Sequence, residues 1–212
     1  DVVNYKGNGT SNTDITHSLY NTPRMIWVKR RNGYEDWCVY HIGLDPGGSP
    51  QNFNIKLNST AAAYSSQLEW GSPNSSTFTV GGGNNTNQNN VPYVALLFGD
   101  VEGICKCGYY DGSSSAQTIT TGFQPRFVII KSTTGTAGWL VLDTTRGWGD
   151  NAQPYPNQTK DPYLYLDSTA AQGTNHDFGK PTSTGFELTA TAYGIGSAYN
   201  ASGQKFIYYA HA

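Results

Sequence analysis

Charge is scarce in this sequence. Charged residues fill 13% of the 212 positions, where a globular chain averages about 25%. Thirteen Lys and Arg face fifteen Asp and Glu, for a formal net charge of −2. Nothing here forms a basic footprint for a phosphate backbone, which argues against nucleic acid as a partner. Long apolar runs are also missing. The longest, Val94 to Phe98, is too short to span a bilayer. Leu, Glu, Lys, Arg and Ala are few, so material for helices is thin. There is one methionine, Met25, and there are three cysteines, Cys38, Cys105 and Cys107. An odd cysteine count argues against a disulfide framework, and no CxxC or HxxxH spacing offers a zinc site. Cys105 and Cys107 alternate with Lys106, so they share one face of a strand and read as buried thiols acting as small hydrophobes. No signal peptide is visible. A start at Asp1 implies either a processed terminus or a piece of a longer chain.

Small polar residues take the place of charge. Asn, Ser, Thr and Gly number 18, 17, 23 and 25, together 83 residues. Aromatics are abundant at 13%, with 15 Tyr and 5 Trp. Disordered chains lack aromatic and β-branched residues, so this chain reads as folded. Thr, Tyr, Val, Ile and Trp suit strands, while Gly, Asn and Pro suit the turns between them.

One pattern occurs twice. The first copy opens Tyr5-Lys6-Gly7-Asn8-Gly9, passes Ile15-Thr16 and reaches Pro23-Arg24-Met25-Ile26-Trp27-Val28-Lys29. The second opens Tyr110-Asp111-Gly112-Ser113-Ser114, passes Ile119-Thr120 and reaches Pro125-Arg126-Phe127-Val128-Ile129-Ile130-Lys131. A Trp strand follows in each, beginning at Trp37 and at Trp139. Then comes Leu-x-Ser-Thr-Ala-Ala, at Leu57–Ala62 and Leu166–Ala171. A Phe strand (Phe78, Phe186) and a closing aromatic run (Tyr93–Phe98, Phe206–His211) complete the set. Offsets drift only from 102 to 113 residues, as small loop insertions would produce. The expected fold is all-β: an antiparallel, jelly-roll-like β-sandwich built from two repeats of about 105 residues, 1–108 and 109–212. Several runs are apolar at successive positions, as in strands buried on both faces. Only Ser59–Gln67 and Ser168–Gln172 offer a helical turn, and Gly81-Gly82-Gly83 reads as a flexible turn with no helix after it. Whether the repeats make one sandwich or two stays open.

The blocks Tyr-x-Gly-Asn-Gly, Pro-Arg-Met-Ile-Trp-Val-Lys, Leu-Asn-Ser-Thr-Ala-Ala and Tyr93-Val94-Ala95-Leu96-Leu97-Phe98-Gly99-Asp100 together resemble a known family. It is a two-repeat, β-rich domain of undescribed function found in tail-fibre and virion proteins of tailed, often marine, bacteriophages. Gly122-Phe123-Gln124-Pro125 and Asn200-Ala201-Ser202-Gly203 fit the same pattern. The Asn-rich stretch 84–90 and the Cys105-Lys106-Cys107 segment depart from it. The resemblance implies a structural or adhesive part of a phage particle: tail fibre, tailspike head, decoration protein or capsid fibre. It carries no catalytic residues. Implied partners are other virion proteins, further copies of the chain and a host-surface glycan, and the implied location is the particle's exterior.

Enzymatic chemistry finds little support in the residues. A glycosidase needs two carboxyls facing one cleft. Glu35, Asp36, Glu69, Asp143, Asp150 and Glu187 are available, but none sits in a motif, and they read as turn acids. His17, His41, His176 and His211 read as structural. No P-loop, dinucleotide fingerprint or nucleophile elbow occurs, and no cofactor is expected. The oxygen-rich stretches Asp143–Asp150 and Asn175-His176-Asp177 lack an established calcium spacing. Sugar binding is the better chemical alternative, because sugars stack on exposed aromatics and bond to amide and carboxylate side chains. The loop Arg146–Asn157, longer than its counterpart after Tyr40, points to Trp148, Asp150 and Tyr155 as ligand contacts, with Trp70 as a second candidate. The competing reading gives these aromatics to the core edge or to a neighbouring subunit.

Overall fold

A computed structural model describes residues 1–149, 160–190 and 198–212. The chain divides into two compact units, Asp1–Asp100 and Val101–Ala212. Unit one holds β1 (Val2–Lys6), β2 (Thr13–Thr16), β3 (Met25–Arg30), β4 (Cys38–His41), β5 (Phe53–Lys56), β6 (Tyr64–Ser65), β7 (Thr77–Val80) and β8 (Pro92–Phe98). It also holds one helical turn, α1 (Asn84–Asn87), and two short 3-10 turns. Unit two holds β9 (Cys105–Asp111), β10 (Gln117–Thr120), β11 (Phe127–Ser132), β12 (Leu140–Asp143), β13 (Asp161–Tyr165), β14 (Gly173–His176), β15 (Lys180–Thr182), β16 (Gly185–Leu188) and β17 (Lys205–His211). Every described strand pairing is antiparallel.

Each unit sets a six-stranded sheet against a smaller one. In unit one the large sheet runs β1-β8-β3-β4-β5-β6, and β2 pairs with β7. In unit two it runs β9-β17-β11-β12-β13-β14, and β10-β16-β15 makes the smaller sheet. The orders coincide strand for strand, with β15 as the addition in unit two. Registers coincide as well: Tyr5 lies opposite Tyr93 and Met25 opposite Phe98, while Tyr110 lies opposite Phe206 and Phe127 opposite His211.

Alternation explains how the sheets find their faces. β8 alternates half-buried and buried along its length, so Tyr93, Ala95 and Leu97 all point one way. They meet Ile26, Val28 and Tyr40 from the large sheet and Phe78 and Val80 from β7, forming unit one's core. Unit two's core is built likewise from Val128, Ile130, Leu140, Leu142, Phe206, Tyr208, Phe186 and Leu188. Full burial of each such side chain contributes about 1.5–3 kcal/mol. β4 is buried along its whole length and β11 at all but its first residue, which is why their sequences do not alternate.

Polar contacts pin the same places in both units. Tyr5 stacks on Tyr93 with ring centres 5.2 Å apart, and Tyr110 stacks on Phe206 at 5.0 Å. Lys29 Nζ donates to the Gly33 and Glu35 carbonyls across the β3–β4 loop, and Lys131 Nζ donates to the Ala137 carbonyl at 2.7 Å across the β11–β12 loop. The Trp37 amide donates to Asn58 at 2.9 Å, and the Trp139 amide to Asp167 at 2.7 Å. A fully buried asparagine holds the turn after each first strand. Asn87 accepts from the Asn8 amide at 3.0 Å and donates to the Thr10 carbonyl at 2.8 Å. Asn200 accepts from the Ser113 amide at 3.1 Å and from Gln117 Nε2 at 2.6 Å, and donates to the Ser115 and Thr189 carbonyls at 2.7 and 3.0 Å.

The structure departs from the sequence expectations in three places. The boundary falls after Asp100, not after residue 108, because Cys105–Gly108 begin β9, which pairs with β17 over seven residues. A helical turn does follow Gly83: α1 buries Thr86 and Asn87, and Tyr93 Oη donates to the Asn84 carbonyl at 2.6 Å. The segments Ser59–Gln67 and Ser168–Gln172 form no helical turn. Ser59 Oγ and Ser168 Oγ each accept from the amide two residues on, at 3.1 Å, a local bond that competes with helix.

Replacing Asn200 by Ala removes four hydrogen bonds made by a fully buried side chain, two of them to the Ser115 and Thr189 carbonyls. Unit two is expected to lose about 3 kcal/mol of unfolding free energy. Denaturant unfolding followed by probes in each unit checks this: the unit-two transition moves to lower denaturant while that of unit one stays in place.

Candidate functional site

The aromatic residues singled out as sugar platforms lie inside the protein. Trp148 is 1% exposed and Trp70 3%. Trp148 packs edge-on against Phe186 with ring centres 6.3 Å apart, within the unit-two core. Trp70 Nε1 donates to Asn54 Oδ1 at 3.1 Å, and its ring meets Tyr40 at 6.1 Å. Neither ring shows a face to solvent, so neither serves as a stacking platform. Burial of their large apolar area outweighs whatever an exposed ring would bind. Asp150 and Tyr155 lie outside the described residues.

The acids considered for catalysis stand in separate settings. Glu35 is paired with Arg30 at 2.5 Å. Asp36 is paired with Lys56 at 2.5 Å and accepts from Asn58 at 2.8 Å. The Lys56 hydrogen bond is the main cause holding the Asp36 carboxyl below its ordinary range. Glu69 is buried and accepts from Ser66 and Asn85. Asp143 is paired with Arg146 at 2.7 Å. His17 accepts from the Leu19 amide through Nδ1, which leaves Nε2 to donate to the Asn74 carbonyl at 3.1 Å. His41, fully buried, accepts from the Gly43 amide at 2.9 Å.

One group of ionisable side chains does come together. Asp161, the first residue of β13, is 4% exposed. Its Oδ1 accepts from the Gly149 amide at 3.1 Å and its Oδ2 from the Phe178 amide at 2.7 Å. Asp177 accepts from the Gly179 amide at 2.9 Å. Glu187 Oε2 stands 3.9 Å from Lys180 Nζ. These side chains line a cavity of about 100 Å³. That volume suits a few waters; a sugar ring does not fit. Burial pushes the Asp161 carboxyl up to about 6; the Phe178 and Gly149 amides oppose that shift and the Asp177 carboxylate adds to it. Asp177 is raised for the same leading reason. Among the described residues no group of three or more His, Cys, Asp or Glu is placed to hold a metal ion.

Two glycines make the arrangement accessible to the backbone. Gly149 has φ +77°, and a Cβ there would come within 2.6 Å of Pro181 Cδ. Gly179 has φ +107°, and a Cβ there would lie 1.9 Å from the Glu187 carbonyl oxygen. Any other residue would push one amide away from the acids.

Sequence reasoning missed this cluster. Asp161 precedes a proline, a context that reads as an exposed turn, and only its β13–β14 pairing and the returning 177–180 segment bury it. It also missed the aromatics that are exposed. Tyr34, in the β3–β4 loop, is fully exposed, and Tyr20, before β3, is 93% exposed with φ +63°. A bulky residue with positive φ is an outlier, and no local sequence signal marks it.

The chain belongs to a family described as a domain of unknown function (DUF7483), whose model matches residues 1–212. No curated protein and no solved structure matches it.

Truncating Trp148 to Ala is expected to cost about 3–5 kcal/mol, the range for a large aromatic removed from a core. Equilibrium unfolding measures it. A W148A protein as stable as the parent would place the ring outside the core.

Proposed function

We propose that the chain is a non-enzymatic structural module of a bacteriophage particle, of the tail-fibre, decoration or capsid-fibre kind, displayed on the particle's exterior. The observation that carries this reading is the pair of sandwich units with one strand order, each with its own core and its own buried asparagine on the first turn. A virion surface protein needs rigid modules, and two units that each close their own core support that reading. The sequence resemblance to tailed-phage virion proteins points the same way. The expected partners are other virion proteins and further copies of the chain, through hydrogen-bonded, aromatic contacts of the kind that low charge and abundant Asn, Ser and Thr favour.

Host-surface adhesion is the second part of the reading. It rests on Tyr20 and Tyr34, whose rings are free to stack on a sugar. They take the place first given to Trp148 and Trp70.

Two measurements test the two parts. Antibodies raised against the folded chain should decorate intact purified particles of the phage that encodes it, and the chain should appear among the particle proteins by mass spectrometry. Its absence from purified particles would sink the structural reading. On a glycan array, any binding should fall at least tenfold in the Tyr34→Ala or Tyr20→Ala variant. Binding unchanged in both would end the assignment of those rings, and no binding at all would end the adhesive reading.

A further inference from the structure

The cavity around Asp161 has a consequence for how the unit-two loops respond to acid. Its carboxylate joins two segments, the loop after β12 through the Gly149 amide and the segment before β15 through the Phe178 amide. No ammonium or guanidinium is paired with it among the described ion pairs, which place Lys180 on Glu187. Its donors are backbone amides, whose partial charges offset only part of what a buried carboxylate loses on leaving water. Asp177 presents a second carboxylate to the same cavity and Glu187 a third.

We propose that Asp161 is a proton-operated latch: taking up a proton strengthens the closed arrangement of Gly149 and Phe178 over it, and losing that proton at neutral pH loosens them.

The sign follows from linkage. When the two segments lift away, Asp161 meets water and returns to an ordinary carboxyl range. When they close, burial raises it to about 6. The closed form therefore binds the proton more tightly, and lowering the pH favours closing. Between pH 7.5 and pH 5 the closing equilibrium shifts by about tenfold, one factor of ten per pH unit once the pH is below the closed-form value. The other charged groups around it are Asp177 on the loop before β15, Lys180 on β15, Glu187 on β16, Lys160 next in sequence, and His176, which lies opposite Asp161 in the β13–β14 register. His176 is lowered by burial and by Lys160, so its protonation favours the open form and works against the latch. Asp177, raised in the same sense as Asp161, reinforces it.

Amide hydrogen exchange on the intact chain reads the latch at its two donors. With intrinsic rates divided out, the Gly149 and Phe178 amides should be about tenfold better protected at pH 5 than at pH 7.5. The His176→Gln variant should keep that difference, and Asp161→Asn should remove most of it, leaving only the smaller contribution of Asp177. Equal or weaker protection at pH 5, or a pH response in D161N as large as in the unaltered protein, overturns the proposal. Should D161N fail to fold, the side-chain carboxyl carbon of Asp161 in the unaltered protein decides by NMR titration. A midpoint near 6 upholds the latch, and one near 4 removes it.

Discussion

A primary amide buried in a dry interior is tolerated only when its groups are bonded, and each unit is organised around one that is. Asn87 and Asn200 are fully buried, and each spends its carbonyl and its NH₂ on the turn that follows the unit's first strand. That turn sets where the chain leaves the edge of the large sheet and crosses to the small one. The stacked pairs Tyr5–Tyr93 and Tyr110–Phe206 sit beside it on the same strand pairs. Both tyrosine hydroxyls then donate to carbonyls near the asparagines, Tyr5 to Thr86 and Tyr110 to Tyr199. A core of ordinary hydrophobic residues would tolerate many rearrangements. A network with every member satisfied tolerates few, and it gives each sheet one register.

The abundant asparagine and glycine therefore have a structural reading that composition alone does not supply. Asn8, Asn58, Asn74 and Asn87 bond to backbone groups at turns, doing in each place what a longer loop or a charged pair would do less locally. Two of the described ion pairs, Arg30–Glu35 and Arg146–Asp143, join residues of a single strand–loop segment. At such exposed or half-exposed positions an ion pair contributes little to stability.

Much of the fold was legible from the pattern of residues. β-branched and aromatic runs bounded by Gly, Pro and Asn mark strands because few other structures accept them, and the matched blocks fall at matching sheet positions, Phe98 with His211 and His41 with Asp143. What was illegible depended on distant contacts. α1 is made of Asn and Thr, poor helix formers, and holds its shape because Tyr93 and Asn8 reach it from elsewhere. Trp148 lies in a polar, Gly-rich loop that reads as exposed, but its ring turns inward onto Phe186. Asp161 looks like a surface acid until two loops close over it. In each case a contact between residues tens of positions apart overrode the local signal, and local signal is all that a sequence pattern contains.

Strand order also sets the sequence of events during synthesis. β1 pairs with β8, across nearly the whole of unit one, and β8 separates β1 from β3. The sheet therefore cannot close until the ribosome has delivered Phe98. Contacts this far apart along the chain make for slow folding, but at about 5–20 residues per second unit one has seconds to complete while unit two is still emerging. Unit two faces the same delay, because β17 enters between β9 and β11. Its apolar strands wait for the piece that fills the middle of their sheet, and for that interval they are the part of the nascent protein most exposed to mispairing.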